Sequence, residues 1–271
     1  MGTFGHTRGL RAALSARALF ALALACLGPA TDGRAGVLDG TKAAQASLPP
    51  GEPFGLGAMR INFGGLRDKW LAVQRRLDDE RVQLALCDGD RERCASPAAL
   101  QFLAIVDAAR ERDGRARLGE VNRAVNLAIR PMSDLAQYGE IDVWNSPLVT
   151  FFRGAGDCED YAIAKYMALR AAGLAEADLR IVVLHDTMLD EDHAVAAVRL
   201  DGRWLLLDNR RMAMIEDVQI KHYRPLFVID QSGVMQYQDA PLAVATPERG
   251  FTVSAVPALA AQPEPAEPSA N

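Results

Sequence analysis

Three side chains in this sequence, Cys158, His193 and Asp208, follow one another in an order that suits nucleophilic catalysis. Cys158 comes directly after Gly156-Asp157 and opens a stretch (Tyr161, Ala162, Lys165, Tyr166, Leu169) whose spacing predicts a helix ending at Gly173. Its sulfur is then expected at the positive end of that helix, where backbone N–H groups and the helix dipole favour a thiolate. His193 opens an alternating stretch that runs to Leu200, and Asp208 follows the returning stretch Arg203 to Leu207. Asp201-Gly202 between them is a strong hairpin turn. His193 stands eight residues before Asp201 and Asp208 six after Gly202, so both lie at the open end of the hairpin. There a carboxylate can hold an imidazole, which makes Cys158 the nucleophile, His193 the base and Asp208 the residue that orients it. His185 competes as base but has no orienting Asp on an obvious partner strand, and His222 reads as a surface residue. An acyl-transfer site also needs an oxyanion hole. The Cys158 backbone N–H is one candidate donor, and that of Trp144 a weaker one.

The neighbours of the cysteine are acidic. Asp157, Glu159 and Asp160 place three carboxylates around a sulfur whose ionised form they repel, which raises the thiol pKa. A bound cation would resolve that conflict, and clustered carboxylate oxygens suit calcium. Simple capping is the other reading, since acidic residues in a first helical turn are favourable by themselves. A second acidic group, Asp186, Asp190, Glu191 and Asp192, lacks the spacing of an EF-hand and reads as a solvated loop.

Cysteine usage bears on the compartment. Cys87 and Cys94 stand seven apart around Asp88-Gly89-Asp90, which suits a short disulfide in an oxidising environment. Cys158 is then a leftover thiol, which in an exported protein needs a reason. Met1 to Ala35 has the layout of a secretory signal peptide: Arg8, Arg11 and Arg17, the apolar run Ala18 to Leu27, then small residues and Pro29. The run is too short for a stable membrane anchor. Lipoprotein anchoring through Cys26 is an alternative that Leu24 fits poorly. The expected location is the periplasm. Without residues 1–35 the chain carries 26 basic and 34 acidic residues, a net charge of −8. Nucleic acid is a poor candidate for its partner.

The elements that must position these residues divide into two halves. Residues 36–60 are rich in Gly, Pro and Ala and read as a flexible lead-in. Leu66 to Leu86, a segment with Pro97 at its first turn and Leu100 to Val106 behind it, and Leu118 to Ala128 closed by Pro131 are expected helices. Tyr138 to Gly156 reads as irregular. After the Cys158 helix come strands at Arg180 to Leu184, His193 to Leu200, Arg203 to Leu207 and Tyr223 to Ile229, with Pro225 placing the last at an edge. The fold class is α+β, with one domain over residues 61–237 and a disordered tail of Ala, Pro and Glu over 238–271.

The segment Gly156-Asp157-Cys158-Glu159-Asp160-Tyr161-Ala162, with His193-Ala-Val and Leu207-Asp208-Asn209, resembles the signature of the bacterial transglutaminase-like cysteine proteinases of LapG type. The resemblance runs from about Phe63 to Ile229 and includes the Cys87/Cys94 pair. It implies a transglutaminase-like (papain-like) fold and calcium bound beside the nucleophile, its site completed by backbone carbonyls near Ala177 to Leu179. It further implies a large surface adhesin as substrate, cut near its N-terminus so that a biofilm disperses. The implied partner is an inner-membrane cyclic-di-GMP receptor that sequesters the protease through its periplasmic domain. Amide transfer of true transglutaminase type, and a non-catalytic binding module on the same fold, are the rival readings.

Overall fold

The computed structural model describes residues 51–238; the expected signal peptide and the tail beyond Gln238 lie outside the described residues. Five helices carry the first half: α1 (Gly65–Gly89), α2 (Pro97–Arg110), α3 (Gly114–Ala128), the short α4 (Asp134–Tyr138) and α5 (Pro147–Arg153). α6 (Cys158–Ala171) follows, and then most of the strands. In chain order the strands are β1 (Ala58–Arg60), β2 (Arg130–Pro131), β3 (Ala155–Gly156), β4 (Leu179–Asp186), β5 (Glu191–Leu200), β6 (Arg203–Leu207), β7 (Ile215–Glu216), β8 (Tyr223–Asp230) and β9 (Gly233–Tyr237). Seven of them form one sheet in the order β1-β9-β8-β4-β5-β6-β7, antiparallel at every pairing. β2 and β3 pair with each other, parallel, and deliver the chain to Asp157.

The α+β expectation holds, and strand periodicity explains how the layers stack. Ile181, Ala196, Val198, Leu205 and Leu207 face a core shared with the helices, while Val182, Leu184, Val195, Ala197 and Leu206 build a second core on the opposite face. α6 is the central helix. Tyr161, Ile163, Ala164, Tyr166, Ala168 and Leu169 are all buried, so it has almost no solvent face. The β5–β6 hairpin turns on Asp201 and Gly202, both at positive φ, as a two-residue turn of that sequence requires.

Three expectations need correction. Gly51 to Arg60 is not a loose lead-in: β1 pairs with β9, Glu52 forms an ion pair with Arg180, and the Trp204 indole N–H donates to the Gly51 carbonyl. The second sheet face is apolar and must be covered, and Phe54, Leu56 and Ala58 pack against it. The segment before Cys158 is not wholly irregular, because Ser146-Pro147 starts α5, whose first turn is capped by the buried Glu80 carboxylate through Ser146 Oγ and the Leu148 N–H. β8 is an interior strand, between β9 and β4. Pro225 is tolerated there because β9 pairs only from Phe227 onward and the β4 ladder shifts register between Val183 and Leu184, so Pro225 still has one open side.

Cys87, at the end of α1, is bonded to Cys94 across a Cα–Cα distance of 4.7 Å, and among the described residues Cys158 is the free cysteine. The bridge ties α1 to the start of α2, whose Ser96 side chain caps the Ala99 N–H at 3.2 Å. Closing so short a loop contributes roughly 2–3 kcal/mol. Replacing both cysteines by serine should lower the unfolding free energy by about that amount. Thiol counting on the denatured, unreduced chain from residue 36 onward should find one free thiol; three would exclude the bridge.

Candidate active site

Asp157 precedes the first turn of α6, and Cys158 is its first residue. The chain arrives there along β3, held by the Met132 N–H on the Gly156 carbonyl at 3.0 Å. Gly156 cannot be larger: an added Cβ would lie 2.8 Å from Asp160 Cβ and 2.7 Å from Asp160 Oδ2. Across the site, β5 supplies His193 and the end of β6 supplies Asp208. His193 Nε2 stands 3.0 Å from Asp208 Oδ1, with both side chains buried. The β5–β6 ladder ends at the Ala196 and Leu207 pair, so it is the side chains, beyond the last rung, that close the gap.

Asp208 is kept ionised. Burial alone would raise its pKa, but the hydrogen bond and charge of His193, the Arg210 N–H at 3.0 Å and the Tyr223 hydroxyl at 2.7 Å together hold it well below the usual carboxylate range. An ionised carboxylate only accepts, so Nε2 carries the ring proton and Nδ1 is left as the basic nitrogen. His193 Nδ1 is buried and without a hydrogen-bond partner. The Ala194 N–H, one residue along β5 from His193, lies on the thiol side of that strand and favours the ionised form of Cys158, which places the thiol beside β5.

The thiol itself departs from the expected thiolate. Burial first, and then the Glu159 carboxylate, push its pKa up, and it donates to Glu159 Oε2 at 3.1 Å. The helix N-terminus is outweighed because the site is closed and crowded with acid. Glu159 lies within ligand distance of Asp157 and Asp134, the three offering oxygens no more than 4.8 Å apart. Burial, followed by the charge of Asp157, pushes Glu159 up to about 9, and burial with the Asp157 charge pushes Asp134 up to about 6. Asp157 is raised as well, chiefly by burial. Asp134 Oδ1 and Asp157 Oδ1 are buried and have no hydrogen-bond partner. Two orphaned acid oxygens beside a third buried acid fit a hard divalent cation.

Of the three carboxylates expected to bind metal, the structure brings Asp157 and Glu159 together and keeps Asp160 apart. Asp160 Oδ1 accepts the Asn145 N–H at 3.0 Å and Oδ2 its side-chain amide at 3.2 Å. One residue on along the helix, Asp160 is turned toward the Trp144-Asn145 loop and secures it. Its pKa is also raised, to about 7, mainly by burial. Sequence reasoning missed Asp134, which lies at the start of α4 and accepts the Val143 N–H. No motif marks it; only the fold closes that distance. Tyr223 was missed for the same reason. The acidic stretch expected as a solvated loop is the exposed turn between β4 and β5, with Asp190, Glu191 and Asp192 in solvent; only Asp186 departs from that expectation, at 2% exposed, and Arg210 pairs with both Asp186 and Glu191. His185 makes its contacts with Asp190 and Asp192, away from Asp208.

The sequence profile of the family described as bacterial transglutaminase-like cysteine proteinase BTLCP matches residues 83–238, more than half of the chain. The chain matches no curated protein. Among solved structures it is similar to Legionella pneumophila LapG, at 23% identity and a TM-score of 0.47, covering 53% of this chain and 79% of that one. The calcium-bound form of that protein aligns at 23% identity and TM-score 0.47 over 54% and 82% of the two chains. Its EGTA-treated form aligns at 24% and 0.47 over 52% and 76%.

Carboxylates whose folded pKa lies above the unfolded value bind protons on folding, so their contribution is full below the unfolded pKa and is lost as pH rises through the folded one. For Asp134, Glu159 and Asp160 the loss starts near the unfolded values of 3.8 and 4.5 and ends between about 6 and about 9. In chelator, the melting temperature should therefore fall as pH is raised from about 5 to about 7, and Asp134→Asn should flatten that slope. A melting temperature that rose over this interval would contradict the buried acid cluster. Gly156→Ala should lower stability by about 1–3 kcal/mol through overpacking against Asp160, measured by denaturant titration.

Proposed function

The chain belongs to the bacterial transglutaminase-like cysteine proteinases, and from that premise we propose that it is a calcium-dependent periplasmic cysteine endopeptidase. Its substrate in this reading is a large surface adhesin, cut near the adhesin's N-terminus so that it leaves the cell and a biofilm disperses. An inner-membrane cyclic-di-GMP receptor, through its periplasmic domain, is the partner that withholds the protease. The observation that carries the reading is the buried His193, fixed to Asp208 through Nε2 with Nδ1 unpartnered, on the strand that also contacts the Cys158 thiol.

The roles follow from that arrangement. His193 Nδ1 takes the thiol proton as Cys158 Sγ attacks the substrate carbonyl. The tetrahedral oxyanion faces the N-terminus of α6, where the Cys158 N–H is the candidate donor. The imidazolium then gives its proton to the leaving amine, and a thioester remains on Cys158. Water, deprotonated by the same Nδ1, hydrolyses the thioester and restores the thiol. Asp208 stays ionised throughout and holds the ring in the tautomer that leaves Nδ1 basic. Asp160 acts at a distance by securing the Trp144-Asn145 loop. A calcium ion held by Asp134, Asp157 and Glu159 would supply positive charge beside the nucleophile and engage the Glu159 oxygen that otherwise competes for the thiol proton. The Cys87–Cys94 bridge and the layout of residues 1–35 support an oxidising, extracytoplasmic location.

The test is to mix the purified protein with outer-membrane fractions, with and without EGTA, and look for a released large fragment. Cleavage should require calcium, and magnesium should restore it poorly. Cys158→Ala and His193→Ala should abolish release with the fold intact, and Asp208→Asn should lose most of it, by up to ~10⁴-fold if the tautomer is mis-set. Crosslinked product in place of fragments would turn the reading to amide transfer. In calorimetry Asp134→Asn should weaken calcium binding at least tenfold, roughly 1.4 kcal/mol or more, whereas Asp160→Asn should leave it near wild type. Equal calcium affinity in Asp134→Asn and wild type would remove Asp134 from the ligand set.

A further inference from the structure

α6 carries a lysine where its neighbours are apolar. Lys165 is 0% exposed and lies seven residues after Cys158 on the same helix. A fully buried ammonium is costly unless something compensates it. Its contacts are the Leu207 carbonyl, which accepts from Nζ at 3.1 Å, and the Tyr161 ring, whose centroid is 5.7 Å away. The nearby charge that favours its protonated form is Asp208; burial pushes the ammonium down to about 7 and Asp208 opposes that fall.

The carbonyl that Lys165 holds belongs to the peptide bond joining Leu207 to Asp208. That peptide lies where the sheet stops supporting the chain. β5 pairs no further than Leu207, and β7 reaches only Leu206. On the other side of Asp208, its own carbonyl accepts from Asn126 Nδ2 of α3 at 3.0 Å. Both peptides flanking Asp208 are thus gripped by side chains from helices, not by a strand. With both flanking peptide planes held, φ and ψ of Asp208 are set, and with them the direction in which its side chain leaves the backbone.

We propose that Lys165 is a positioning residue for the reaction: from the nucleophile helix it ties down the peptide before Asp208 and so holds the Asp208–His193 hydrogen bond in register with Cys158. The inference rests on the assignment of Cys158, His193 and Asp208 in the proposed function. One helix then bears both the nucleophile and the anchor of the acid–base pair. The hydrogen bond that crosses from helix to sheet thus starts from the same rigid element as the nucleophile.

The test uses the full-length protein in calcium with two readouts. One is the downfield ring-proton NMR signal of His193 Nε2–H on Asp208, assigned by its loss in Asp208→Asn. The other is the rate of Cys158 alkylation by iodoacetamide at neutral pH. Absence of both in the wild-type protein would undermine the proposed function itself, independently of Lys165. Given both, Lys165→Met should keep a cooperative melt yet shift or broaden the His193 signal and slow alkylation by about tenfold or more, a partial form of the ~10⁴ loss that a mis-set tautomer causes. Lys165→Gln, which keeps a donor without the charge, should recover most of the signal and rate. A His193 signal and alkylation rate in Lys165→Met within twofold of wild type would overturn the inference. So would a folded Lys165→Gln that behaves no better than Lys165→Met, or a Lys165→Gln that fails to fold. If Lys165→Met alone fails to fold, Lys165→Gln decides by the same readouts: wild-type values support the tie, and a slow, shifted protein overturns it.

Discussion

Three carboxylates within reach of one another beside a thiol, two buried and one half-buried, set the terms for the rest of this site. Burial penalises the charged forms of Asp134, Asp157 and Glu159 and raises all three pKa values, and the charge of Asp157 adds to the rise at Asp134 and Glu159. Mutual repulsion of this kind is tolerated only where surrounding structure holds the groups in place. Here the holding is done by several short elements. β2 and β3 fix the approach to Asp157, the Val143 N–H fixes Asp134, and the Asn145 loop is fastened to Asp160. The absence of a side chain at Gly156 is what lets Asp160 come close enough to the backbone to serve.

The opposite charge balance is found at the other half of the site. Asp208 is surrounded by donors: the His193 ring, the Arg210 N–H and the Tyr223 hydroxyl, with Arg211 at 3.6 Å. One acid group is thus driven toward its neutral form and another toward its charged form within one fold. Environments that push like groups apart in this way are how a protein assigns different tasks to chemically similar residues. The boundary between them is α6, with the acid cluster at its first turn and Lys165 two turns further on, under Asp208.

The two cores explain how such a site is kept rigid. α6 is packed on nearly every side, against α3, α5 and the sheet, so its N-terminus cannot shift without disturbing the main core. The second sheet face is closed by Phe54, Leu56 and Ala58 from the chain before α1, which stiffens the strands that carry His193 and Tyr223. Between β2 and β3, Leu135, Ile141 and Phe152 remain exposed, at 62%, 80% and 81%.

Much of this was legible in the residues themselves. Local rules suffice for a Gly-Asp-Cys helix start, for an Asp-Gly hairpin and for a short Cys–Cys loop, because each depends on backbone preference or on a few adjacent positions. The pairing of His193 with Asp208 followed from counting outward from Asp201-Gly202, since an antiparallel hairpin converts sequence offset directly into spatial register. Other features had no local signature. Asp134 joins Asp157 and Glu159 only because α4 folds back over the start of α6, and Asp160, adjacent in sequence to Glu159, points elsewhere because a helix turns 100° per residue. Pro225 suggested an edge strand, yet β8 is interior, because a register shift in one neighbour and a short partner in the other leave that single position open. Lys165 fits the periodic stripe of α6 as a sequence, and only packing reveals that its ammonium is buried against the Leu207 carbonyl. The sequence by itself determined the main helices and the β5–β6 hairpin, and singled out Cys158, His193 and Asp208 as candidate groups, because those depend on short-range geometry and side-chain chemistry. Tertiary structure alone decided which carboxylates share a site and which charges are compensated, because burial and electrostatic coupling arise between segments far apart in the chain.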